Sequence, residues 1–208
     1  MKKYILFAVA ILGVSYSNAQ NLNNTNGGYE STRTIDGKKY RVAYYEYEVD
    51  KTMDEVWDEI SGNFINVGEI HKSINESYCE SGDTTEGVGA ARFCSIDFSG
   101  KEIQIKERIT DVQESEDRKE FTYEVYESKG FPAKVFNTWV VRKDEHGKVY
   151  LGNVFVLRGK PAMMSKMMMK KIDKLDGLRN AVLGYKHYLE TGEKKVDSEI
   201  FAKLYPEV

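Results

Sequence analysis

The chain has 208 residues, of which 30 are Lys or Arg and 33 are Asp or Glu, for a net charge of -3 at pH 7. Hydrophobic residues make up 41%, with 14 Tyr and 9 Phe against only 3 Pro and 2 Cys. These figures suit one domain with extensions, exclude a disordered, collagen-like or disulfide-dense chain, and exclude a strongly basic nucleic-acid binder.

Lys2 and Lys3 precede an apolar run from Tyr4 to Val14, and Ser17-Asn18-Ala19 supplies the small residues at which a signal peptidase cuts. Residues 1–19 are therefore expected to be an export signal, with a periplasmic or secreted product. The run is about 11 residues, whereas a spanning helix needs roughly 20. No later stretch is apolar enough to cross a bilayer, so no integral membrane segment is expected after signal removal.

Gln20 to Gly28 is Asn-rich and reads as a flexible leader. Residues 20–39 also hold an extra hairpin strand, which turns at Asp36-Gly37 into a long strand ending at Val49. There Tyr45, Tyr47 and Val49 share one face, and Tyr44, Glu46 and Glu48 the other. Thr52-Met53-Asp54-Glu55 is a capping box, and Met53, Val56, Trp57 and Ile60 form one helical stripe that Gly62 stops. A second short helix is expected over Phe64 to Gly68, leading to His71.

Strand signals follow over 77–80, 90–98, 101–112, 120–127, 133–142 and 148–157, separated by Gly-containing turns. Short turns between successive strands imply an antiparallel meander. After Pro161, Met164, Met168, Ile172, Leu175, Leu178, Val182, Tyr185 and Leu189 recur every three or four residues until Gly192 caps the run. One helix over 162–190 would be about 43 Å long. Residues 193–208 read as a tail with apolar spots at Ile200, Phe201 and Leu204.

The expected class is therefore α+β, a curved antiparallel sheet of about seven strands whose apolar face is covered by the long final helix. A sheet wrapped around a helix encloses a cavity. A two-residue turn at Ser99-Gly100 would place Ile96 opposite Ile103, Cys94 opposite Ile105 and Arg92 opposite Glu107. The side carrying Ile96, Cys94, Ile103 and Ile105 is apolar and should face inward, and strict alternation brings Arg92 and Glu107 with it. That pair reads either as a half-solvated ion pair at the sheet rim or as a polar anchor for a ligand.

Cys94 reads as a core residue, as the partner of Cys79 in a disulfide, or as an activated thiol. His71 is a candidate for ligand contact or proton transfer, whereas His146 and His187 are expected in solvent. No His or Cys spacing fits zinc, and neither metal nor cofactor is expected. Tyr45, Tyr47, Tyr123, Trp139 and Phe155 lie in strands whose facing is not fixed. Five methionines gather at Met163, Met164, Met167, Met168 and Met169. They read as core filler, as a deformable cavity wall through Met164 and Met168 with Ile172, or as a soft Cu(I) site. Lys166, Lys170 and Lys174 beside them read as a solvated face or as a transient contact with an anionic membrane surface.

The element order, together with VDKTMDEVWDEISGNF, GVGAARFC, IKERIT and the final helix, resembles the helix-grip superfamily, the START, birch-pollen-allergen and polyketide-cyclase group often called SRPBCC. The resemblance covers roughly residues 40–192. It implies an apolar cavity for lipids, polyketides or similar molecules, and it carries no universal catalytic signature to numbered positions. The expected function is an exported binder or carrier of a small hydrophobic molecule. The alternatives are a cyclase or aromatase-type enzyme using the same cavity, and an interaction module docking through the hairpin or the tail.

Overall fold

A computed structural model of the chain describes residues 27–206, apart from 81, 99 and 175. The expected export signal, most of the leader, Leu175 of the predicted stripe and the Ser99 half of the predicted turn lie outside the described residues. No helix among the described residues is long and apolar enough to cross a membrane.

The alternating segments fold into eight strands: β1 (Gly27–Ile35), β2 (Lys38–Val49), β3 (Ile74–Tyr78), β4 (Ala91–Asp97), β5 (Glu102–Glu114), β6 (Arg118–Lys129), β7 (Ala133–Lys143) and β8 (Val149–Gly159). They form one sheet in the order β1-β2-β8-β7-β6-β5-β4-β3, antiparallel throughout. Strands β3 to β8 are the expected meander, and β2 returns to pair with its last member. Strand β1 begins inside the predicted leader. At the first hairpin Asp36 and Gly37 take φ of 47° and 69°, the left-handed pair that a two-residue turn between twisted strands requires.

Pairing of β5 with β6 slips at Lys106/Glu107 and again at Ile109/Asp111. Such bulges bend a strand and sharpen its twist. The sheet therefore curls near Glu107, and its concave side faces the helices.

Helix α1 (Met53–Gly62) starts as its capping box dictates. Thr52 donates its N–H to Glu55 Oε2 at 2.9 Å, and Glu55 donates its own to Thr52 Oγ1 at 3.3 Å. Met53, Val56, Trp57 and Ile60 are buried. The second helix shrinks to a 3₁₀ turn at Val67–Glu69, because the segment is too short to hold more than one turn.

The final helix departs from its reading as one rod. A 3₁₀ turn at Ala162–Met164 leads into α2 (Ser165–Lys174), and α3 (Gly177–Thr191) follows a break. Asp176 in the break has φ 49°, a conformation Asp tolerates better than most residues. Apolar spacing runs through the break unchanged, so periodicity alone cannot reveal it. The late helical start also shifts the phase. Met169 and Ile172 are buried, Met164 and Met168 are only partly so, and Met163 and Met167 are exposed. Lys166 and Lys170 are exposed as expected.

The expected tail contains a further helix, α4 (Ser198–Leu204), whose Phe201 is buried in the main core. Arg179 Nη2 donates to the Tyr205 carbonyl at 2.6 Å, and the Lys195 N–H donates to the Ile70 carbonyl at 2.8 Å. His187, expected in solvent, is buried by this segment, 3.2 Å from the Tyr205 hydroxyl and 3.0 Å from Glu193. Its burial depends on a segment far from it in register, which helical spacing does not encode.

Two apolar clusters fill much of the concave side. One joins α1 and α3 to the sheet around Trp57, Trp139 and Tyr185; the other joins α2 to β7 and β8 around Val135, Leu157 and Met169. On the convex side, Arg142 holds buried Glu46 with two hydrogen bonds, and Tyr44 donates its hydroxyl to the same carboxylate. Gly152 lies opposite Glu46, where a Cβ would come within 2.9 Å of the Tyr44 hydroxyl.

Candidate functional site: the cavity between sheet and helices

The hairpin register is as the turn predicts. Phe98 donates its N–H to the Lys101 carbonyl at 2.9 Å. Ile96 faces Ile103, Cys94 faces Ile105 and Arg92 faces Glu107. These side chains do point into a hollow of about 590 Å³ between the sheet, α3 and the segment that carries α4.

Arg92, Cys94, Ile96, Ile103, Ile105 and Glu107 all line the hollow, as do His71 and Ile172. Met164 and Met168 do not line it, because the 3₁₀ turn rotates them away. Met168 packs instead beside Gly159. The predicted strand aromatics divide: Tyr123 and Phe155 line the hollow, whereas Tyr47 and Trp139 are packed into the core.

Arg92 and Glu107 are not a rim pair. Their side chains are 6% and 7% exposed, with Arg92 Nε donating to Glu107 Oε2 at 2.6 Å. Arg92 Nη1 also donates to the Phe64 carbonyl, and the guanidinium lies 4.2 Å from the Phe64 ring centre and 5.2 Å from that of Tyr123. Burial is the largest influence and opposes the Arg92 charge, but Glu107, aided by Cys94, Tyr123 and Tyr185, more than offsets it and holds the guanidinium protonated well above its ordinary value.

Cys94 sits with its Sγ 3.7 Å from Glu107 Oε2. Burial first, with Glu107 adding and Arg92 opposing, pushes its thiol up to about 12. It is a thiol and not a nucleophilic thiolate at neutral pH. The disulfide with Cys79 is not formed, since both cysteines are free. Strand β3 pairs Ser77 with Cys94 and ends at Tyr78, so Cys79 lies past the strand with its Sγ 3.4 Å from the Glu80 carbonyl.

His71 is 8% exposed and stands edge-on to Tyr185, ring centres 4.7 Å apart. Burial, and then the Arg92 charge, lower it to about 4, so the imidazole is neutral at neutral pH. Burial likewise raises the Tyr123 and Tyr185 hydroxyls above the ordinary phenol value.

Several wall residues escaped sequence reasoning, notably Asn180, Gly184, Phe131 and Phe201. Gly184 carried a usable signal. Glycine inside a helix costs about 1 kcal/mol relative to Ala, which hints at a close approach. The close approach is to His71, whose Nδ1 would lie 2.7 Å from a Cβ on Gly184.

A second depression, of about 1000 Å³, lies at the other end of the sheet beside the start of α1. Charged side chains dominate its wall, and Lys119–Asp54 and Lys148–Glu48 are ion-paired there. Its polarity does not suit an apolar guest. Among the described residues no three His, Cys, Asp or Glu side chains are grouped to hold a metal ion.

No protein-family profile matches the sequence, and no curated protein matches it. Solved structures do match in fold. A START superfamily protein from Mycobacterium smegmatis aligns at 13% identity and TM-score 0.53, covering 71% of this chain and 98% of that one. Ara h 8.0201 aligns at 13% identity and TM-score 0.51, covering 72% and 97%. The di-domain ARO/CYC protein BexL, from the BE-7585A biosynthetic pathway, aligns at 16% identity and TM-score 0.55, covering 72% of this chain and 46% of that one. The chain has the START-like helix-grip fold, as its motifs led one to expect.

Proposed function

We propose that this chain is an exported protein that binds and carries a small hydrophobic molecule between its sheet and its C-terminal helices. The observation that supports this most is the 590 Å³ hollow, which the surrounding side chains leave open. Burial of apolar ligand surface there contributes about 25 cal/mol per Å² before the costs of association are subtracted. The ionisable groups on the wall favour carriage over chemistry: Arg92 and Glu107 satisfy each other, Cys94 is a thiol and His71 is neutral. A cyclase-type enzyme is the second reading. It is favoured by the convergence of Arg92, Glu107, Tyr123 and His71 on one cavity.

Native mass spectrometry of the protein secreted by its own host tests carriage and export together. The expected spectrum shows a chain beginning at Gln20 with a one-to-one apolar adduct that organic solvent removes. A chain that keeps residues 1–19 inside the cell would contradict export. Repeated absence of any adduct, even after incubation with a lipid extract, would contradict carriage.

A further inference from the structure

Independently of what the hollow holds, we infer that the end of the molecule built by the start of α2 and the turns beside it docks on an anionic phospholipid bilayer. Two observations carry this inference: the apolar side chains left in solvent there, and the cations that surround them. Met163 is 86% exposed, more than any other large apolar side chain among the described residues, and Met167 is 60% exposed. Pro161 and Ala162 beside them are exposed as well. Single exposed apolar residues are ordinary, but a cluster of them with a polar rim marks a contact surface.

The topology supplies the rim. The β4–β5 turn, the β6–β7 turn and the segment leaving β8 all lie at the same end of the sheet. The Lys160 N–H donates to the Pro132 carbonyl at 2.8 Å, and Lys171 Nζ on α2 lies 5.2 Å from the Phe98 ring centre. Lys101, Lys129, Lys160, Lys166, Lys170 and Lys171 are exposed at this end, and none of them is ion-paired among the described residues. Three carboxylates on the same turns are engaged by other groups. Asp97 accepts from the Gly100 N–H, Glu102 accepts from Ser95 and Gln104, and Glu127 pairs with Lys106 at 3.7 Å.

Charge and apolar surface together select the partner. The whole chain carries -3, so an anionic surface repels most of it and attracts this end, which fixes the orientation of docking. Lysine stems lie along apolar surface while their ammonium groups reach for phosphates. The flexible thioether side chains of methionine adapt to irregular apolar surroundings such as acyl chains. Inserted apolar area and attraction to anionic lipid add together in contacts of this kind. Nucleic acid would satisfy the lysines and leave Met163 and Met167 in water, so the lipid surface is the better match. Phe98 also lines the hollow, so the docked face borders the cavity.

The test places a fluorescent reporter on the surface, Met163→Trp, and a control at the opposite end of the sheet, Val88→Trp, where the native side chain is 63% exposed. Trp57 and Trp139 are buried and give a constant background. Each full-length variant is titrated with vesicles of phosphatidylcholine and with vesicles of phosphatidylcholine and phosphatidylglycerol in equal parts. With the anionic vesicles, the emission of Met163→Trp should move to the blue, be quenched by brominated acyl chains, and recover when salt is raised to about 0.5 M. Phosphatidylcholine alone should leave it unchanged, and Val88→Trp should respond to neither. Adding Lys166→Glu and Lys170→Glu to Met163→Trp should weaken binding to the anionic vesicles roughly ten-fold or more. All these positions are exposed, so the substitutions leave the core packing alone. No blue shift at Met163→Trp, an equal shift at Val88→Trp, an equal response to phosphatidylcholine, or affinity unmoved by the two charge reversals overturns the inference. An equal shift with double-stranded DNA overturns it too, since the surface would then serve polyanions at large. No guest molecule enters the experiment, so its failure leaves the carrier reading as it stood.

Discussion

Glu107→Ala is expected to lower the free energy of unfolding by about 3–5 kcal/mol, the range seen when one partner of a buried ion pair is removed. The substitution leaves Arg92 in place, still 6% exposed and still bonded to the Phe64 carbonyl, with its charge uncompensated. Neither the carbonyl nor the faces of Phe64 and Tyr123 replace a full negative charge. The converse is equally informative. Replacing both residues, as in Arg92→Met with Glu107→Leu, removes two desolvation penalties along with the attraction between them, and should cost far less than the single change. Urea unfolding measures both, read as a shift in midpoint at unchanged slope. A single-variant loss below about 1 kcal/mol would mean that water reaches the pair.

The second large effect is a dependence of stability on pH through His71. Its imidazole titrates near the ordinary 6.5 in the unfolded chain but only at about 4 once buried beside Arg92. Between those values the unfolded state holds more protons, so stability falls as pH falls. The contribution of the neutral ring is fully present above 6.5 and is lost through the window down to about 4. At about 1.4 kcal/mol for each unit it reaches at most about 3 kcal/mol. The exposed carboxylates of Glu55 and Glu102, lowered by bonds from Thr52 and Gln104, act only below their ordinary 4.5 and so steepen the acid end of the curve. His71→Leu should flatten the curve between 6.5 and 4 and leave the acid end unchanged. A curve of unchanged slope in the variant would place the imidazole in contact with solvent.

Both effects arise at residues the sequence exposed to different degrees. Arg92 and Glu107 were legible as an inward pair because a two-residue turn fixes register, and register propagates by strict alternation along both strands. His71 was legible only as a position after a short helix. What makes it unusual, Gly184 behind it and Tyr185 beside it, belongs to a helix more than a hundred residues later. The capping box at Thr52 and the first hairpin read cleanly for the same reason as the turn: both are local rules satisfied by adjacent residues. The break at Asp176 and the rotation of Met164 and Met168 out of the cavity were hidden, because apolar spacing does not report where a helix starts or that it stops between Lys174 and Gly177. The docking of α4 was hidden too. Its apolar residues, Ile200, Phe201 and Leu204, look alike in sequence, yet only Phe201 finds the core, while the other two remain exposed. The missing disulfide follows from register: Cys94 pairs with Ser77, two residues before Cys79, so a longer β3 would have set Cys79 opposite Arg92 and not Cys94.

The hollow itself is the central claim, and the titration that most directly tests it uses the neutral, environment-sensitive probe N-phenyl-1-naphthylamine. The unaltered protein should give a saturable, one-to-one rise in emission. Ala181→Trp, which directs an indole from α3 into the cavity, should fold with the same circular dichroism and give no saturable rise. A flat response from the unaltered protein, or equal binding by the plugged variant, would contradict the claim that guests enter between the sheet and the C-terminal helices.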